Sequence, residues 1–470
     1  MTMAGLIGKI GVCGAGAMGS GIAQVAAQAG HGVVVYDVFA PSREKSAAQM
    51  AKGLAQLVAR GKLEQGAADA MLTALCWTDD ITALADCDLV IEAIIEDFGV
   101  KQALFAQLEA VLRPDAIIAS NTSSLPIARL AGALRVPGRF VGMHFFNPAT
   151  VMKLVEVVSG PATDGVIADR IASLARAWGK VAVPVADVPG FIVNRVARPF
   201  YAEAFRCLQQ QGAEPAVIDH LFRAGAGFRM GPLELTDLIG QDVNFAVARS
   251  VYDAYFGQTR FTPQLLQSAL VDANRLGRKT GRGLYDYADG KGPGEPEALA
   301  GQAMADAPAR LAQLGHGCEV EGMRVRFSRG RTARAESAEC GVPVILLDWF
   351  DAATATAAGF AVSHEPCVET AVALLSAWGL QAYRLADRPG LLVLRTLAQI
   401  ANAAGDAAQE GVSDAAGIDD AMRFGANYPF GPIAWAQKIG AAKLSAILSA
   451  IAAGTGQPMY NPSEYWLHKI

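Results

Sequence analysis

The chain has 470 residues, of which 52% are hydrophobic and 18% charged, with a formal net charge of −5 at pH 7. A chain this apolar can bury enough surface to offset its conformational entropy, which excludes disorder over its bulk. It contains no basic block, which argues against a nucleic-acid partner. The seven cysteines are scattered and never form a CxxC pair, so we expect no metal site, no disulfide framework and a cytoplasmic location. No apolar run reaches the roughly 20 residues of a membrane span, so we expect no membrane partner.

The first 186 residues alternate short apolar strands with helical stretches. One helix is predicted to follow Gly19 and to stop at Gly30, a second to run from Pro41 to about Arg60, and a third to cover Lys101–Leu112. This rhythm of strand, helix and strand implies right-handed crossovers and a parallel sheet. The predicted strands are Lys9–Val12, Val33–Tyr36, Leu89–Ala93, Ile117–Ser120, Val141–His144 and Leu154–Val158.

After Asp187 the pattern becomes helical, from Phe191 to about Phe256. A stretch rich in glycine and proline, Gly290–Pro296, is typical of a linker. Residues 301–365 carry no motif that we can interpret, apart from one apolar strand predicted at Val342–Leu347.

The last part of the chain repeats an earlier part without a gap. The members of every matching pair are separated by 200 positions, as Gly190 and Gly390 are. Chance does not produce an ordered set of this kind, so the sequence predicts two copies of one helical domain. The matching pairs are Ala177-Trp178-Gly179 with Ala377-Trp378-Gly379, Asp187 with Asp387, Pro189-Gly190 with Pro389-Gly390, Arg195 with Arg395, Ile218-Asp219 with Ile418-Asp419, Gly225-Ala226 with Gly425-Ala426, Gly231-Pro232 with Gly431-Pro432, and Ile239-Gly240 with Ile439-Gly440.

A glycine loop, Gly14-x-Gly16-x-x-Gly19, lies between the first predicted strand and the first predicted helix. Gly14 permits a tight turn, Gly16 lets the backbone approach a pyrophosphate, and Gly19 allows close helix packing. Asp37 closes the second strand, where its carboxylate would accept hydrogen bonds from the adenosine ribose. Its charge opposes a 2′-phosphate, so the pattern favours NAD over NADP. On the loop alone, FAD and a purely structural turn stay open.

A histidine and a glutamate occur on consecutive predicted strands. His144 lies within Gly142–Pro148, just past a strand end, and Glu156 lies on the next strand. A buried carboxylate needs a partner, and a histidine–carboxylate pair fixes the imidazole tautomer and raises its basicity. The pattern therefore indicates a general base. A satisfied core histidine and a surface glutamate on an edge strand are the alternatives.

Polar residues at two further places are candidates for substrate contact. The run Ser120–Ser124 begins at the C-terminal end of a strand, the edge at which ligands bind in open α/β sheets. Such a run is also a common helix N-cap. Asn194 is polar within an apolar stretch, where a packing amide is the alternative.

Taken together, these motifs resemble the signature series of the 3-hydroxyacyl-CoA dehydrogenases, in the right order over roughly residues 7–287. The resemblance implies an α/β Rossmann-type N-terminal domain followed by two copies of the all-α C-terminal domain of that family. We therefore expect domains at 1–186, 187–289 and 386–470, with 290–385 as a linker and degenerate α/β segment. The segments that carry the resemblance are Gly14–Gly19, Asn121-Thr122-Ser123-Ser124, His144–Pro148, Pro189–Arg195 and Lys279-Thr280-Gly281-Arg282-Gly283.

The helical duplication and the segment Gly231–Asn244 resemble the longer members of the family, which are assigned to phenylacetate degradation. The resemblance implies NAD-dependent oxidation of a (3S)-3-hydroxyacyl-CoA thioester, with 3-hydroxyadipyl-CoA as the expected substrate. A short-chain 3-hydroxybutyryl-CoA dehydrogenase of fatty-acid or butanoate metabolism is the alternative. A non-catalytic NAD-binding protein is disfavoured, because the chain has all four expected catalytic residues, Ser123, His144, Glu156 and Asn194. Enzymes for small free 3-hydroxy acids typically rely on a lysine base, whereas this chain has a histidine and a glutamate.

The resemblance also implies a role for each site residue. His144 is the general base, and Glu156 orients it. Ser123 and Asn194 hydrogen-bond the C3 oxygen of the substrate or the neighbouring thioester. The residues implied at the NAD site are Gly14, Gly16, Ala17, Met18, Gly19, Asp37, Glu96, Lys101, Asn147 and Lys279, and those implied at CoA are Arg60, Lys62 and Ser123.

The second helical copy is expected to serve packing rather than chemistry. Leu394 stands where the first copy has Asn194, and no glycine loop precedes the second copy. Helical domains of this family commonly pair as homodimers. We therefore expect residues 386–470 to pack on residues 187–285 about a pseudo-twofold axis and to form an intramolecular pseudo-dimer. Association of whole chains into a homo-oligomer is compatible with this expectation.

Overall fold

The computed structural model describes residues 7–290, 292–308 and 317–469, so Lys291 of the predicted linker lies outside the described residues. Its contacts define two compact units. The first unit comprises Met1–Val193 and Gly411–Ala426, and the second comprises Asn194–Glu410 and Asn427–Ile470. This division assigns part of the second helical copy to the unit that holds the glycine loop; the domain boundaries expected from the sequence stay a prediction. No helix within the described ranges is long and apolar enough to cross a membrane.

An eight-stranded sheet forms the centre of the first unit. Its strands are β1 (Lys9–Cys13), β2 (Gly32–Tyr36), β3 (Leu75–Thr78), β4 (Leu89–Glu92), β5 (Ile117–Ser120), β6 (Phe140–Phe145), β7 (Leu154–Ser159) and β8 (Val181–Ala186). They are ordered β3-β2-β1-β4-β5-β6-β7-β8, and every neighbouring pair is parallel except β6–β7, which is antiparallel. The sequence rhythm predicted a parallel sheet for the strands that alternate with helices and gave no direction for β6 and β7. The connection from β6 to β7 is too short for a crossover, so these two strands form a hairpin.

The two strands that the sequence pattern missed, β3 and β8, are the edge strands of this sheet. β3 has no fully buried residue, and β8 contains an exposed proline, Pro184. A proline within an apolar run argues against a central strand but is tolerated at an edge, and β3 has only four residues, so neither segment gives a clear strand signal. By contrast, β4 and β5 are buried along their whole length. They end on Glu92 and Ser120, which brings polar groups to one edge of the sheet.

The helices up to residue 272 cover the sheet of the first unit and then form the first helical copy. They are α1 (Ala17–Gln28), α2 (Ala40–Ala59), α3 (Gln65–Thr73), α4 (Phe98–Val111), α5 (Ile127–Ala131), α6 (Gly165–Ala177), α7 (Val193–Val196), α8 (Arg198–Gln209), α9 (Pro215–His220), α10 (Pro232–Ile239), α11 (Gln241–Ala254) and α12 (Leu265–Asp272). A π-helical turn, Leu221–Gly225, follows α9. Short 3-10 turns occur at Ile81–Leu84, Pro137–Arg139, Thr259–Phe261 and Arg278–Thr280.

The second unit contains a smaller, five-stranded sheet. Its strands are β9 (Cys318–Val320), β10 (Met323–Phe327), β11 (Val344–Leu347), β12 (Ala357–Val362) and β13 (Gln381–Arg384), in the order β13-β12-β11-β10-β9. The remaining helices of the described residues are α13 (Ala333–Cys340), α14 (Cys367–Ala377), α15 (Val393–Gln409), α16 (Ala415–Gly425), α17 (Pro432–Ile439), α18 (Ala441–Thr455) and α19 (Glu464–Leu467), with a 3-10 turn at Pro458–Tyr460.

The internal repeat extends into this smaller sheet. From β10 to β13 the pairings are parallel, antiparallel and parallel, as they are from β5 to β8. In the first unit, the N–H of Ala186 donates to the carbonyl of Val412 at 2.8 Å. In the second unit, the N–H of Ala386 donates to the carbonyl of Gly212 at 2.9 Å. These are the same two positions of the repeat, so in each unit a residue at or just after the end of a strand from one copy binds a segment from the other copy.

Within the second unit, α8 of the first copy packs against α15 of the second copy. The guanidinium of Arg395 lies 2.8 Å from the carboxylate of Glu203, and the hydroxyl of Tyr460 donates to the same carboxylate at 2.8 Å. Burial disfavours the ionised form of Glu203, but the charges of Arg206 and Arg395 hold its pKa below the usual range. The rings of Phe228 and Tyr428, which occupy equivalent positions of the two copies, lie 5.0 Å apart.

Candidate active site

The glycine loop is shaped for close approach of a ligand to the backbone. Gly14 has φ of +107°, and a Cβ atom there would lie 2.6 Å from the carbonyl oxygen of Ala93. A Cβ at Gly19 would lie 1.9 Å from the carbonyl oxygen of Gly14, so the start of α1 requires glycine for its packing. A Cβ at Gly16 would meet no atom within 4 Å. The loop therefore leaves open space beside Gly16, immediately before the N-terminus of α1, which fits a pyrophosphate.

Asp37 is fixed beside this loop. Its carboxylate accepts hydrogen bonds from the N–H of Ala15 at 2.7 Å and from the N–H of Phe39 at 2.9 Å. The guanidinium of Arg43 forms an ion pair with Asp79 at 2.9 Å and donates to the carbonyl of Asp37, so it does not neutralise the Asp37 carboxylate directly. An open backbone cradle next to a fixed carboxylate suits the diphosphate and ribose of NAD.

His144 and Glu156 are directly opposite each other in the antiparallel pair β6–β7. Nδ1 of His144 lies 2.7 Å from Oε2 of Glu156. Both side chains are buried, with 6% and 0% of their residue surface exposed. Because a carboxylate accepts, Nδ1 donates, and Nε2 is left to accept a proton. The alternative of a surface glutamate on an edge strand is wrong, because β7 is an interior strand of the sheet.

The second oxygen of Glu156 binds the backbone. Oε1 accepts hydrogen bonds from the N–H of Ile192 at 3.0 Å and from the N–H of Val193 at 3.1 Å. The imidazole of His144 also contacts the rings of Phe146 and Phe191, at centroid distances of 4.5 and 5.7 Å. The carboxylate therefore has three donors, and the imidazole is held on several sides.

Glu96 holds the loop that carries Ser123. One oxygen of Glu96 accepts hydrogen bonds from the Thr122 hydroxyl at 2.6 Å and from the backbone N–H groups of Ser123 and Ser124 at 3.0 and 3.1 Å. Burial alone would raise the pKa of Glu96, but the charge of Lys101 and these hydrogen bonds lower it to about 2. The carboxylate is therefore ionised at neutral pH and fixes the loop.

Lys101 is almost completely buried, with its ammonium between two carboxylates. It lies 2.6 Å from Glu92 and 3.0 Å from Glu96. Glu92 also accepts a hydrogen bond from the Ser120 hydroxyl at 2.6 Å. Glu92 was not among the predicted site residues, although a charged residue at the end of an apolar strand was a visible signal in the sequence. Lys101 thus connects the ends of β4 and β5 with the loop at Ser123.

The other predicted site residues lie in different surroundings. Asn147 is exposed after β6, and Arg60 and Lys62 are exposed after α2. Asn194 is partly buried on α7 and Lys279 forms an ion pair with Asp242 at 2.5 Å; both belong to the second unit. Their roles stay predictions. Across the described ranges, no three histidine, cysteine or acidic side chains gather as metal ligands.

The second copy has no histidine–glutamate pair at the equivalent positions. Strand register places Gly359 where the first copy has Glu156, and Asp348 opposite it, where the first copy has His144. The carboxylate of Asp348 accepts hydrogen bonds from the N–H groups of residues 392–394, at the start of α15. Burial raises the pKa of Asp348 to about 6 against these hydrogen bonds. In the second copy, a carboxylate at the position of His144 therefore binds the start of the helix, and a glycine stands opposite it.

Comparison with known protein families gives three matches along the chain. Residues 9–188 match the family described as "3-hydroxyacyl-CoA dehydrogenase, NAD binding domain". Residues 190–287 and 390–470 match "3-hydroxyacyl-CoA dehydrogenase, C-terminal domain". Residues 325–389 match "3-hydroxybutyryl-CoA dehydrogenase reduced Rossmann-fold domain", which overlaps the segment 301–365 that carried no interpretable motif in the sequence.

Individual relatives cover the chain to different extents. The chain is 44% identical to a 3-hydroxyadipyl-CoA dehydrogenase of Escherichia coli K12, over 96% of this chain and 95% of that protein. It is 42% identical to a probable 3-hydroxybutyryl-CoA dehydrogenase of Deinococcus radiodurans, over 59% of this chain and 100% of that protein. The structure is similar to the crystal structure of a 3-hydroxybutyryl-CoA dehydrogenase from Escherichia coli K12, with a TM-score of 0.93, 42% identity and 98% coverage of both chains.

Proposed function

Because this chain belongs to the 3-hydroxyacyl-CoA dehydrogenase family, we propose that it oxidises 3-hydroxyadipyl-CoA to the 3-oxo thioester, with His144 as the general base. It is an NAD-dependent oxidoreductase that acts on a CH–OH group. The assignment of the base is supported by one observation above the others, the 2.7 Å contact between His144 and Glu156 in a buried environment. The assignment of the substrate is supported by similarity along almost the whole chain to a protein of that name.

In the proposed mechanism, His144 accepts the proton of the C3 hydroxyl through Nε2. Glu156 keeps the imidazole in the required tautomer and stabilises the imidazolium that forms. Ser123 and Asn194 hydrogen-bond the C3 oxygen or the thioester and so orient the C3 hydrogen. NAD, when bound, supplies the hydride acceptor. Because the oxidation releases a proton, higher pH favours the 3-oxo product.

The positions proposed for the cofactor and for CoA follow the same assignment. Asp37 would bind the adenosine ribose, and the backbone around Gly16 would bind the pyrophosphate. Glu96 and Lys101 would act at the NAD site chiefly by fixing the loop that carries Ser123, because the ammonium of Lys101 is enclosed by two carboxylates. The exposed Arg60 and Lys62 are the proposed contacts to the phosphates of CoA. The remaining predicted positions at the NAD site are Ala17, Met18, Asn147 and Lys279.

The two helical copies are proposed to form an intramolecular pseudo-dimer. The reciprocal hydrogen bonds of Ala186 with Val412 and of Ala386 with Gly212 support this pairing, because they join the same two positions of the repeat in each unit. The buried ion pair of Arg395 with Glu203 joins α15 to α8, where removal of one partner would leave an uncompensated charge. Linking the copies in one chain also removes most of the entropic cost of association.

A short-chain 3-hydroxybutyryl-CoA dehydrogenase is the second candidate, because a solved structure of that description covers 98% of this chain. The two candidates are separated by measuring kcat/KM for 3-hydroxybutyryl-, 3-hydroxyhexanoyl- and 3-hydroxyadipyl-CoA with NAD, through NADH absorbance. We expect the adipyl thioester to give the highest kcat/KM. A higher value for 3-hydroxybutyryl-CoA would contradict the proposed substrate. Reduction of acetoacetyl-CoA compared with free acetoacetate, followed in the same way, tests whether the CoA thioester is required.

A further inference from the structure

Helix α16 belongs to the second, non-catalytic copy, yet it packs on strands β7 and β8 of the first unit. The segment is anchored just before the helix begins. The carbonyl of Val412 accepts a hydrogen bond from the N–H of Ala186 at 2.8 Å, and the hydroxyl of Ser413 donates to the carbonyl of Pro184 at 2.7 Å. These bonds fix the start of the helix along the edge of the large sheet.

At its other end, α16 approaches side chains of the first unit at Gly425. A Cβ atom at Gly425 would lie 2.4 Å from Cδ2 of Leu154, 3.0 Å from Cγ2 of Val193 and 3.5 Å from Cζ of Phe146. Real Cβ atoms essentially never lie closer than 3.0 Å to another heavy atom. Gly425 is therefore in direct contact with these side chains, and a larger residue would displace them.

The three residues that Gly425 contacts are each connected to the histidine–glutamate pair in a different way. The ring of Phe146 lies 4.5 Å from the imidazole of His144. The N–H of Val193 donates to the carboxylate of Glu156 at 3.1 Å. Leu154 lies two positions before Glu156 on β7, and its side chain points to the same face of the sheet. Gly425 therefore contacts one residue whose ring packs on the imidazole of His144 and another whose backbone binds the carboxylate of Glu156.

From this packing we infer that the non-catalytic copy holds the catalytic base of the first copy in place, with Gly425 as the positioning residue. The inference rests on the proposed role of His144. It also gives the second copy a function in the reaction, although that copy has no histidine–glutamate pair and no glycine loop of its own. Because an error of about 1 Å in a reacting group can cost roughly a hundredfold in rate, a small displacement of Phe146 is enough to matter.

The test compares two matched substitutions, Gly425→Ala and Gly225→Ala. Gly225 is the equivalent position of the first copy, where a Cβ would lie 3.1 Å from the carbonyl oxygen of Ala357 within the second unit. We expect Gly425→Ala to lower kcat roughly ten- to a hundredfold and to move the pH profile of kcat/KM, with the KM for NAD nearly unchanged. Gly225→Ala should keep kcat and the pH profile. Equal kcat values and equal pH profiles for the two variants would overturn the inference.

A double variant keeps the test informative if Gly425→Ala does not fold. Leu154→Ala removes the closest side chain, so the kcat of Leu154→Ala/Gly425→Ala should lie within about threefold of that of Leu154→Ala alone. A folded double variant with a much lower kcat than Leu154→Ala would contradict the inference. A parallel His144→Gln variant separates the two proposals. Full activity of His144→Gln would show that His144 is not the base. Full activity of Gly425→Ala together with an inactive His144→Gln would contradict the role of Gly425 alone.

Discussion

Nδ1 of His144 and Oε2 of Glu156 are 2.7 Å apart because the two residues occupy opposite positions of the antiparallel pair β6–β7. The same carboxylate binds the N–H groups of Ile192 and Val193, directly before Asn194. Glu156 therefore connects the proposed base with the start of the helix that carries a proposed substrate contact. In the second copy, Asp348 binds the start of the helix from the position that corresponds to His144.

Glu156 should accordingly have a structural as well as a catalytic effect. We expect Glu156→Gln to lower kcat and also the melting temperature, because a neutral amide stabilises an imidazolium less and leaves buried backbone donors with a weaker acceptor. Assays of turnover and thermal unfolding on the same preparation test this. Glu365→Gln, in an exposed ion pair with Arg384, is a matched control that should change neither quantity appreciably. Parental turnover in Glu156→Gln would contradict the assigned role.

Asp37 is predicted to determine the cofactor preference. The parent protein should use NAD more efficiently than NADP, and Asp37→Ala should narrow the difference, because the carboxylate repels a 2′-phosphate. The measurement is kcat/KM for each cofactor at saturating acyl-CoA. Equal efficiency with NAD and NADP in the parent protein would contradict the prediction.

The stability of the second unit should depend on pH through Asp348. Burial raises the pKa of this carboxyl to about 6 in the folded protein, above the value of about 3.9 in an unfolded chain. Between these values the folded state binds more protons than the unfolded state, so the contribution of Asp348 to stability is greatest below about pH 4 and is lost as the pH rises to about 6. In the variant Asp348→Asn, this pH-dependent loss of stability should disappear. Urea-unfolding midpoints of both proteins between pH 4 and 7 provide the test, and parallel pH dependences would refute it.

A protein that ends near Gly290 should not behave as a stable monomer. Removal of the second copy would expose the apolar contacts around Phe228 and leave the carboxylate of Glu203 without Arg395 and Tyr460. We expect this truncated protein to lose solubility or to dimerise through the exposed face. Light scattering after size-exclusion chromatography measures its mass, with the full-length chain as control. A soluble, monomeric and fully active truncated protein would rule out the pseudo-dimer.

The sequence alone was sufficient to predict the features that depend on residue type and spacing. The glycine loop before α1, the 200-position repeat and the candidate pair of His144 and Glu156 were all visible, because each follows from spacing or residue type. The antiparallel register that aligns the pair was not predicted, although the short connection between the two strands is a signal in the sequence that excludes a crossover. The roles of Glu92 and Gly425 depend on contacts between distant segments, which no local pattern specifies.

The most direct test of the proposed chemistry is NADH formation by His144→Gln, with 3-hydroxyadipyl-CoA and NAD at saturation. Glutamine has a similar size but cannot accept the hydroxyl proton as a base. We expect NAD binding to stay nearly intact and turnover to fall by roughly 10²- to 10⁴-fold, the usual contribution of a positioned general base. Turnover within a few-fold of the parent protein, at unchanged NAD affinity, would show that His144 is not the base.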